Sequence, residues 1–288
     1  MKKKELGLIF FLFLFFIIRG ISNAEKFGIK LTGGMSYLAV GDPNASLKGL
    51  ADFLKDQASL GDNIPESEFN EFKKIHFGLD LVGDVIIYLT PHFGISLGSG
   101  YIYGMEGKVI NKRILGGQTF TEEVKVSAIP VRLGVYYSLP LSSRARFLLN
   151  GGVSYYFAKW SEAYRNEWSG GWFNTVQEAK ASGIGFHGGL GFEFNLVSNI
   201  SFVLEEQGRY AKIGGFKGDK EFRAFIPGWE SSTEGSLYYF EWLPWTDNWY
   251  PMIQILEEEP IGDRIRKVRK AKIDFSGFTL RAGIKIKF

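Results

Sequence analysis

Nine charged side chains fall where a period-two strand would place them on one shared face. Asp80, Asp84, Glu193 and Glu205 are the acids; Lys30, Arg132, Arg146, Arg209 and Arg281 are the bases. A buried charge left without a partner costs on the order of 3–5 kcal/mol, so acids and bases sharing an interior must pair. Two chemistries fit: an ion-paired plug, or the polar wall of a narrow pore. An interior only just filled by side chains favours the plug.

The three histidines suggest a different chemistry. The alternation places His76 and His187 on the interior face and His92 in a short turn. A His beside a Ser can act as a general base for acyl transfer. No His–Ser motif of that kind stands out, and a group acting on lipid belongs at a lipid face or a lateral opening. Two polar interior side chains are therefore expected, and no catalytic residue is assigned. No phosphate-binding glycine loop, nucleotide fingerprint or metal motif is visible, so no cofactor or metal is expected. The chain has no Cys, which removes disulfides, thiolate metal sites and thiol nucleophiles. A net charge of +3 gives no nucleic-acid footprint.

All seven Trp lie between Trp160 and Trp249. Trp160 is expected in a membrane-interface belt. Trp168, Trp172, Trp229, Trp242, Trp245 and Trp249 form a candidate surface for a sugar, a peptide or an apolar small molecule. The alternative is a mini-core that lets long loops fold. Further on, Glu257, Glu258 and Glu259 precede Arg264, Arg266, Lys267, Arg269 and Lys270. These bases could pair with lipopolysaccharide phosphates or with facing acids.

These side chains need elements to position them. Met1 to Lys4 is a basic run, Leu6 to Ile18 is apolar, and Ser22-Asn23-Ala24 has small residues at the positions a signal peptidase reads. A signal peptide over 1–24 with cleavage before Glu25 is expected, and one domain over 25–288. Eight segments of that domain alternate with period two. Leu31, Met35 and Tyr37 oppose Lys30, Thr32 and Ser36, and Phe186, Leu190 and Phe192 oppose His187, Gly189 and Glu193. One face is aromatic on nearly every segment; the other carries Gly, Ser and unlike charges. A small barrel cannot hold eight columns of Phe, Tyr and Leu inside itself, so these face out, into lipid. A soluble periplasmic barrel is the alternative fold and would turn the aromatic columns inward.

Short turns follow the second, fourth and sixth segments. Long loops are expected near 41–74, 106–123, 160–181 and 211–271. This alternation suits short periplasmic turns and long outer loops. In the first loop, Asp42 and Pro43 precede Leu47, Leu50, Phe53 and Leu54 at helical spacing, predicting a short amphipathic helix.

The runs Ile129-Pro130-Val131-Arg132-Leu133-Gly134-Val135-Tyr136-Tyr137, Gly188 to Glu193 and Ser276 to Phe288 carry a resemblance. The chain resembles the small outer-membrane β-barrel proteins of the OmpX, OmpW and OmpA-barrel type. The resemblance implies an all-β, antiparallel, up-and-down transmembrane barrel of about eight strands in the cell outer membrane. It also implies that the terminal Phe288 is the signal read by the barrel-assembly machinery. The expected partners are outer-membrane lipid, lipopolysaccharide, that machinery and an extracellular ligand, with no nucleic acid. The expected role is structural or surface ligand binding through the outer loops. A narrow channel for small apolar molecules, with the first-loop helix as a lid, is the second reading. A lipid-modifying enzyme is the third.

Overall fold

The computed structural model describes residues 27–59, 68–113, 117–226, 228–244 and 247–288. The expected signal peptide and Trp245 lie outside them. In chain order the elements are β1 (Phe27–Gly41), α1 (Asp42–Ser59), β2 (Glu68–Lys73), β3 (Phe77–Tyr88), β4 (Phe93–Gly104), β5 (Gly107–Arg113), β6 (Gln118–Pro140), β7 (Ala145–Trp168), β8 (Gly171–Asn195), β9 (Ile200–Tyr210), β10 (Lys212–Gly214), β11 (Lys217–Ala224), β12 (Glu230–Trp242), β13 (Tyr250–Leu256), β14 (Ile265–Lys270) and β15 (Lys272–Lys287).

Eight strands close into an antiparallel ring in the order β1, β3, β4, β6, β7, β8, β9 and β15, with β15 pairing back onto β1. Closure leaves no ring strand with an open edge, the condition for a sheet in lipid. Tight connections at 89–92, 141–144 and 196–199 all lie at one end. The faces are inside out relative to a soluble barrel. Leu31 is 61% exposed, and its neighbour Lys30 is 2% exposed. Met35, Leu79, Leu133, Phe157, Phe186 and Leu280 point outward in the same way. Glycine on the inner face makes room for the charges. A Cβ on Gly98 would fall 2.1 Å from the Asp84 carboxylate, and one on Gly191 would fall 2.8 Å from Glu205 Cβ.

The far end of the molecule is more ordered than the sequence suggests. In place of long loops, β6, β7 and β8 run on beyond the ring as one sheet. β5 and β2 extend that sheet on one side. On the other side β11, β12 and β13 extend it, with β14 also on β12 and β10 on β15. The stretch 160–181, expected as a loop, is the continuous upper part of the β7–β8 hairpin. Its polar and small residues, such as Ser161, Glu162, Ala163 and Asn166, leave no apolar column to read. The backbone still has to satisfy its hydrogen bonds, and pairing does so.

This outer storey has its own apolar core. Going up each strand, the inward face changes from polar to apolar. In β1, Lys30, Thr32 and Ser36 give way to Leu38 and Val40, all buried. Val126, Trp160, Phe216 and Phe275 join them. Trp160 is thus fully buried in this core and is not an interface-belt residue. Val40 and Gly41 take φ angles of 62° and 72°, which swing the chain off β1 and into α1. For a β-branched residue that is a strained conformation. α1 then lies across the storey against β13, burying Leu47, Ala51 and Leu54. The predicted amphipathic helix is present, with its apolar face packed on the outer storey's core.

Candidate functional site

Two places collect chemistry-bearing side chains: the lumen of the ring and the outer storey above it. In the lumen, Lys30 Nζ lies 2.8 Å from Glu205 and 3.2 Å from Asp84. The pairing follows from register, since Lys30 stands opposite Asp84 on β3. Arg209 reaches Asp80 at 2.7 Å and donates to Thr279 Oγ1 at 2.9 Å and to the Phe275 carbonyl at 2.6 Å. Arg281 lies 2.7 Å from Glu205 and 3.6 Å from Asp80, an ion pair out of line for a hydrogen bond. Lower down, Glu193 is paired with Lys285 and, at 2.8 Å, with Lys287, and it accepts from Ser201 at 2.9 Å.

Asp80, Asp84, Glu193 and Glu205 are all buried on the inner face, and each of the four is ion-paired. Lys30, Arg209 and Arg281 are the partners of Asp80, Asp84 and Glu205. Arg132 is buried on the inner face but has no ion pair among the described residues. Arg146 is half-buried at the tight-turn end, opposite Glu193 in register, while Glu193 is taken by the two lysines. Lys285 and Lys287 were legible as inward positions of the last strand and were missed as members of the network.

His187 is inside, as expected, with its Nδ1 2.9 Å from Ser154 Oγ. His76 is not. It precedes β3, where the alternation breaks, and it stacks on the outward-facing ring of Tyr37 at 5.7 Å. Ile75 turns into the core in its place. His92 sits at a tight turn, its Nδ1 3.1 Å from the Ser138 carbonyl oxygen. The void among Asp80, Arg132, His187, Gln207 and Arg209 measures about 10 Å³. That is about one water at most.

The chain's sequence matches the model of the outer membrane protein beta-barrel domain over residues 9–225. The chain belongs to the outer-membrane protein β-barrel family. No curated protein matches it. Among solved structures it is similar to the outer membrane protein OprG from Pseudomonas aeruginosa, at 11% identity, covering 92% of this chain and 98% of that one with a TM-score of 0.36. It is also similar to the outer membrane protease OmpT from Escherichia coli, at 12% identity, covering 93% and 99% with a TM-score of 0.32. At such scores neither likeness bears on function.

In this outer-membrane barrel the outer storey holds a cavity of about 320 Å³ between α1 and the inner face of the sheet. Phe53, Phe173, Trp242 and Tyr250 supply aromatic wall; Glu122 and Glu162 supply charge. Phe53 packs 5.5 Å from Trp242 and 5.4 Å from Tyr250. Glu162 accepts from Gln177 Nε2 at 2.9 Å, and Gln177 Oε1 accepts from Ile255 N–H at 2.8 Å, so the amide is held at both ends. Burial raises the Glu162 carboxyl to about 7, opposed by the Gln177 hydrogen bond and by Lys220. Burial, and then the charge of Glu162, push Glu122 well above the usual carboxylate range. Neither carboxylate was singled out from sequence, because both lie in stretches expected to be loops.

The candidate tryptophan surface divides. Trp242 lines the cavity. Trp249 lies under the Arg266 guanidinium at 4.1 Å. Trp168 packs against Phe173 and Phe225 near the tip of the β7–β8 hairpin, with Trp172 beneath Arg165 at 5.8 Å. Trp229 is 59% exposed. The basic stretch finds acids, although not Glu257 to Glu259. Arg266 and Lys267 hold Glu241 at 2.7 and 2.9 Å, and Arg269 grips Asp42 with both terminal nitrogens. Phe288 stacks on Phe27 at 4.7 Å, beside the start of β1.

Proposed function

We propose that this outer-membrane barrel is a closed, non-conducting scaffold that binds a ligand through its outer storey. The tight turns face the periplasm, and the folded upper sheet with α1 faces out. One observation carries the reading: the path through the ring is obstructed twice. Paired charges with a void of about 10 Å³ fill the lumen. Above them sit an apolar core and α1, with the cavity of about 320 Å³ beside the helix. A surface-binding protein needs a stiff base and an open outer site, and this arrangement supplies both.

The reading is non-catalytic. Ser154 and His187 are within hydrogen-bond reach, but both are buried in the lumen and face no lipid. No room for an acyl chain exists beside them in a void of that size. Lipopolysaccharide surrounds the barrel as lipid, and the assembly machinery reads the Phe288 end.

Conductance in a planar bilayer tests this reading. The refolded protein should stay silent while its heat-modifiable mobility shows a folded barrel, and Asp84→Ala should not create a step. A steady conductance that changes with Asp84→Ala would overturn the closed scaffold and favour the narrow channel.

A further inference from the structure

The proposal deepens the outer-storey reading and rests on it. Glu122 on β6 and Glu162 on β7 stand on adjacent strands, offset diagonally, since Glu122 pairs in register with Tyr164 and Glu162 with Val124. Both side chains are more than nine-tenths buried. Among the described residues neither forms an ion pair. Glu122 Oε1 is buried with no hydrogen-bond partner. Lys220 on β11 attracts Glu162 from beyond contact distance and is itself half-buried. Two like carboxylates desolvated side by side destabilise the fold unless something else compensates them. Every lumen acid that the sequence placed there has a cationic partner, so two buried carboxylates without one stand apart. It also faces a space of about 320 Å³, the low end of the range for small-molecule sites.

The walls narrow the chemistry. One end offers two carboxylates. The rest offers Leu50, Phe53, Phe173, Trp242 and Tyr250, with neutral polar groups from Ser46, Thr175, Gln177 and Gln254 between them. Carboxylates accept charge-assisted hydrogen bonds from N–H donors, and aromatic faces attract cations. A divalent metal is the weaker fit, because among the described residues no third carboxylate or histidine joins the pair. We propose that the cavity binds a small organic ammonium carried on an apolar body, with Glu122 and Glu162 as its counter-ions and the aromatic rings around the body.

Binding should strengthen as pH rises through about 7, where Glu162 ionises. The titratable groups facing the pair are Tyr164 on β7, Tyr250 on β13 and Lys220 on β11. α1 presents Ser46, Gly49, Leu50 and Phe53 to the cavity, and β8 presents Phe173, Thr175 and Gln177, none of which titrates.

The test is calorimetric titration of the full protein in nanodiscs, against empty nanodiscs, above pH 7. The probes are phenethylamine and its neutral twin, phenethyl alcohol. The amine should bind saturably and the alcohol should not. Glu122→Gln and Glu162→Gln should each weaken the amine roughly tenfold or more, as loss of a charge-assisted contact requires. Both variants remove a buried charge without removing volume, so folding should survive, and heat-modifiable mobility checks it. Unchanged amine affinity in both variants overturns the proposal. Equal binding of both probes, lost in Trp242→Ala, also overturns it while leaving an outer-storey ligand site in place. Binding of neither probe to folded protein removes this cavity as a site, and conductance then decides the wider reading separately.

Discussion

Glu193 holds Lys285 and Lys287 together in the lumen, and it is 0% exposed. Its removal strands two cations that have no other ion-pair partner among the described residues. Glu193→Ala should therefore cost about 3–5 kcal/mol, read as a large fall in the urea midpoint of the refolded barrel. Glu178 on β8 is the control. It also touches two lysines, Lys159 at 2.6 Å and Lys180 at 2.9 Å, but the three side chains are 40–71% accessible to solvent. Glu178→Ala should cost about 0–1 kcal/mol. Equal midpoints for the two variants would sink the view that burial decides the value of these pairs. Glu193 was legible because a polar residue alternated with Phe192 and Phe194 can only point inward. His76 was misplaced because the alternation was carried one residue past the strand's true start. Glu122 and Glu162 were illegible for the opposite reason: no apolar neighbours marked their faces.

Among the elements, α1 shows what local pattern can and cannot tell. Its apolar spacing was readable, while its position depends on contacts distant in sequence. Asn44 donates to the Ile75 carbonyl and accepts from the Ile75 N–H, both at 2.8 Å. Ser46 Oγ accepts from Ile253 N–H at 3.2 Å, and Asp56 accepts from Tyr250 and Asn248. Asp42, the first residue of α1, spends its carboxylate on Arg269 and the Lys272 N–H. Asn44→Ala would leave two buried backbone groups at Ile75 unpaired, at about 1–3 kcal/mol each. Amide exchange in α1 and around Ile75 should quicken severalfold, while exchange in the middle of the ring strands stays slow. Loss of protection throughout the ring would show that α1 is not a separable element. The ring itself was legible strand by strand, because lipid on one side and charges on the other enforce strict alternation. The outer sheet was not, because water on one side and a mixed core on the other do not.

The molecule as a whole consists of two storeys with opposite interiors, polar below and apolar above, and pH should act on them differently. Glu162 has a pKa of 4.5 before burial and about 7 in the fold, and Glu122 moves the same way. Between those values the folded chain binds more protons than the unfolded chain, so stability falls as pH rises. The contribution is fully present below 4.5 and gone above about 7. Glu178 and Glu241, held down by lysine and arginine partners, shift the other way. Their stabilising effect is complete once pH has passed the ordinary Glu range, so it does not mask the decline. A selective reporter exists, because the described Trp, at 160, 168, 172, 229, 242 and 249, lie within or beside the outer storey. The urea midpoint followed by tryptophan fluorescence should fall between pH 4.5 and 7. In the double variant Glu122→Gln, Glu162→Gln it should stay level and lie above the native protein's at the alkaline end. A native midpoint that does not move, or a double variant that keeps the slope, would mean the buried pair does not govern this storey. A saturating organic ammonium should flatten the native slope as well, because it stabilises the ionised pair that otherwise weakens the fold.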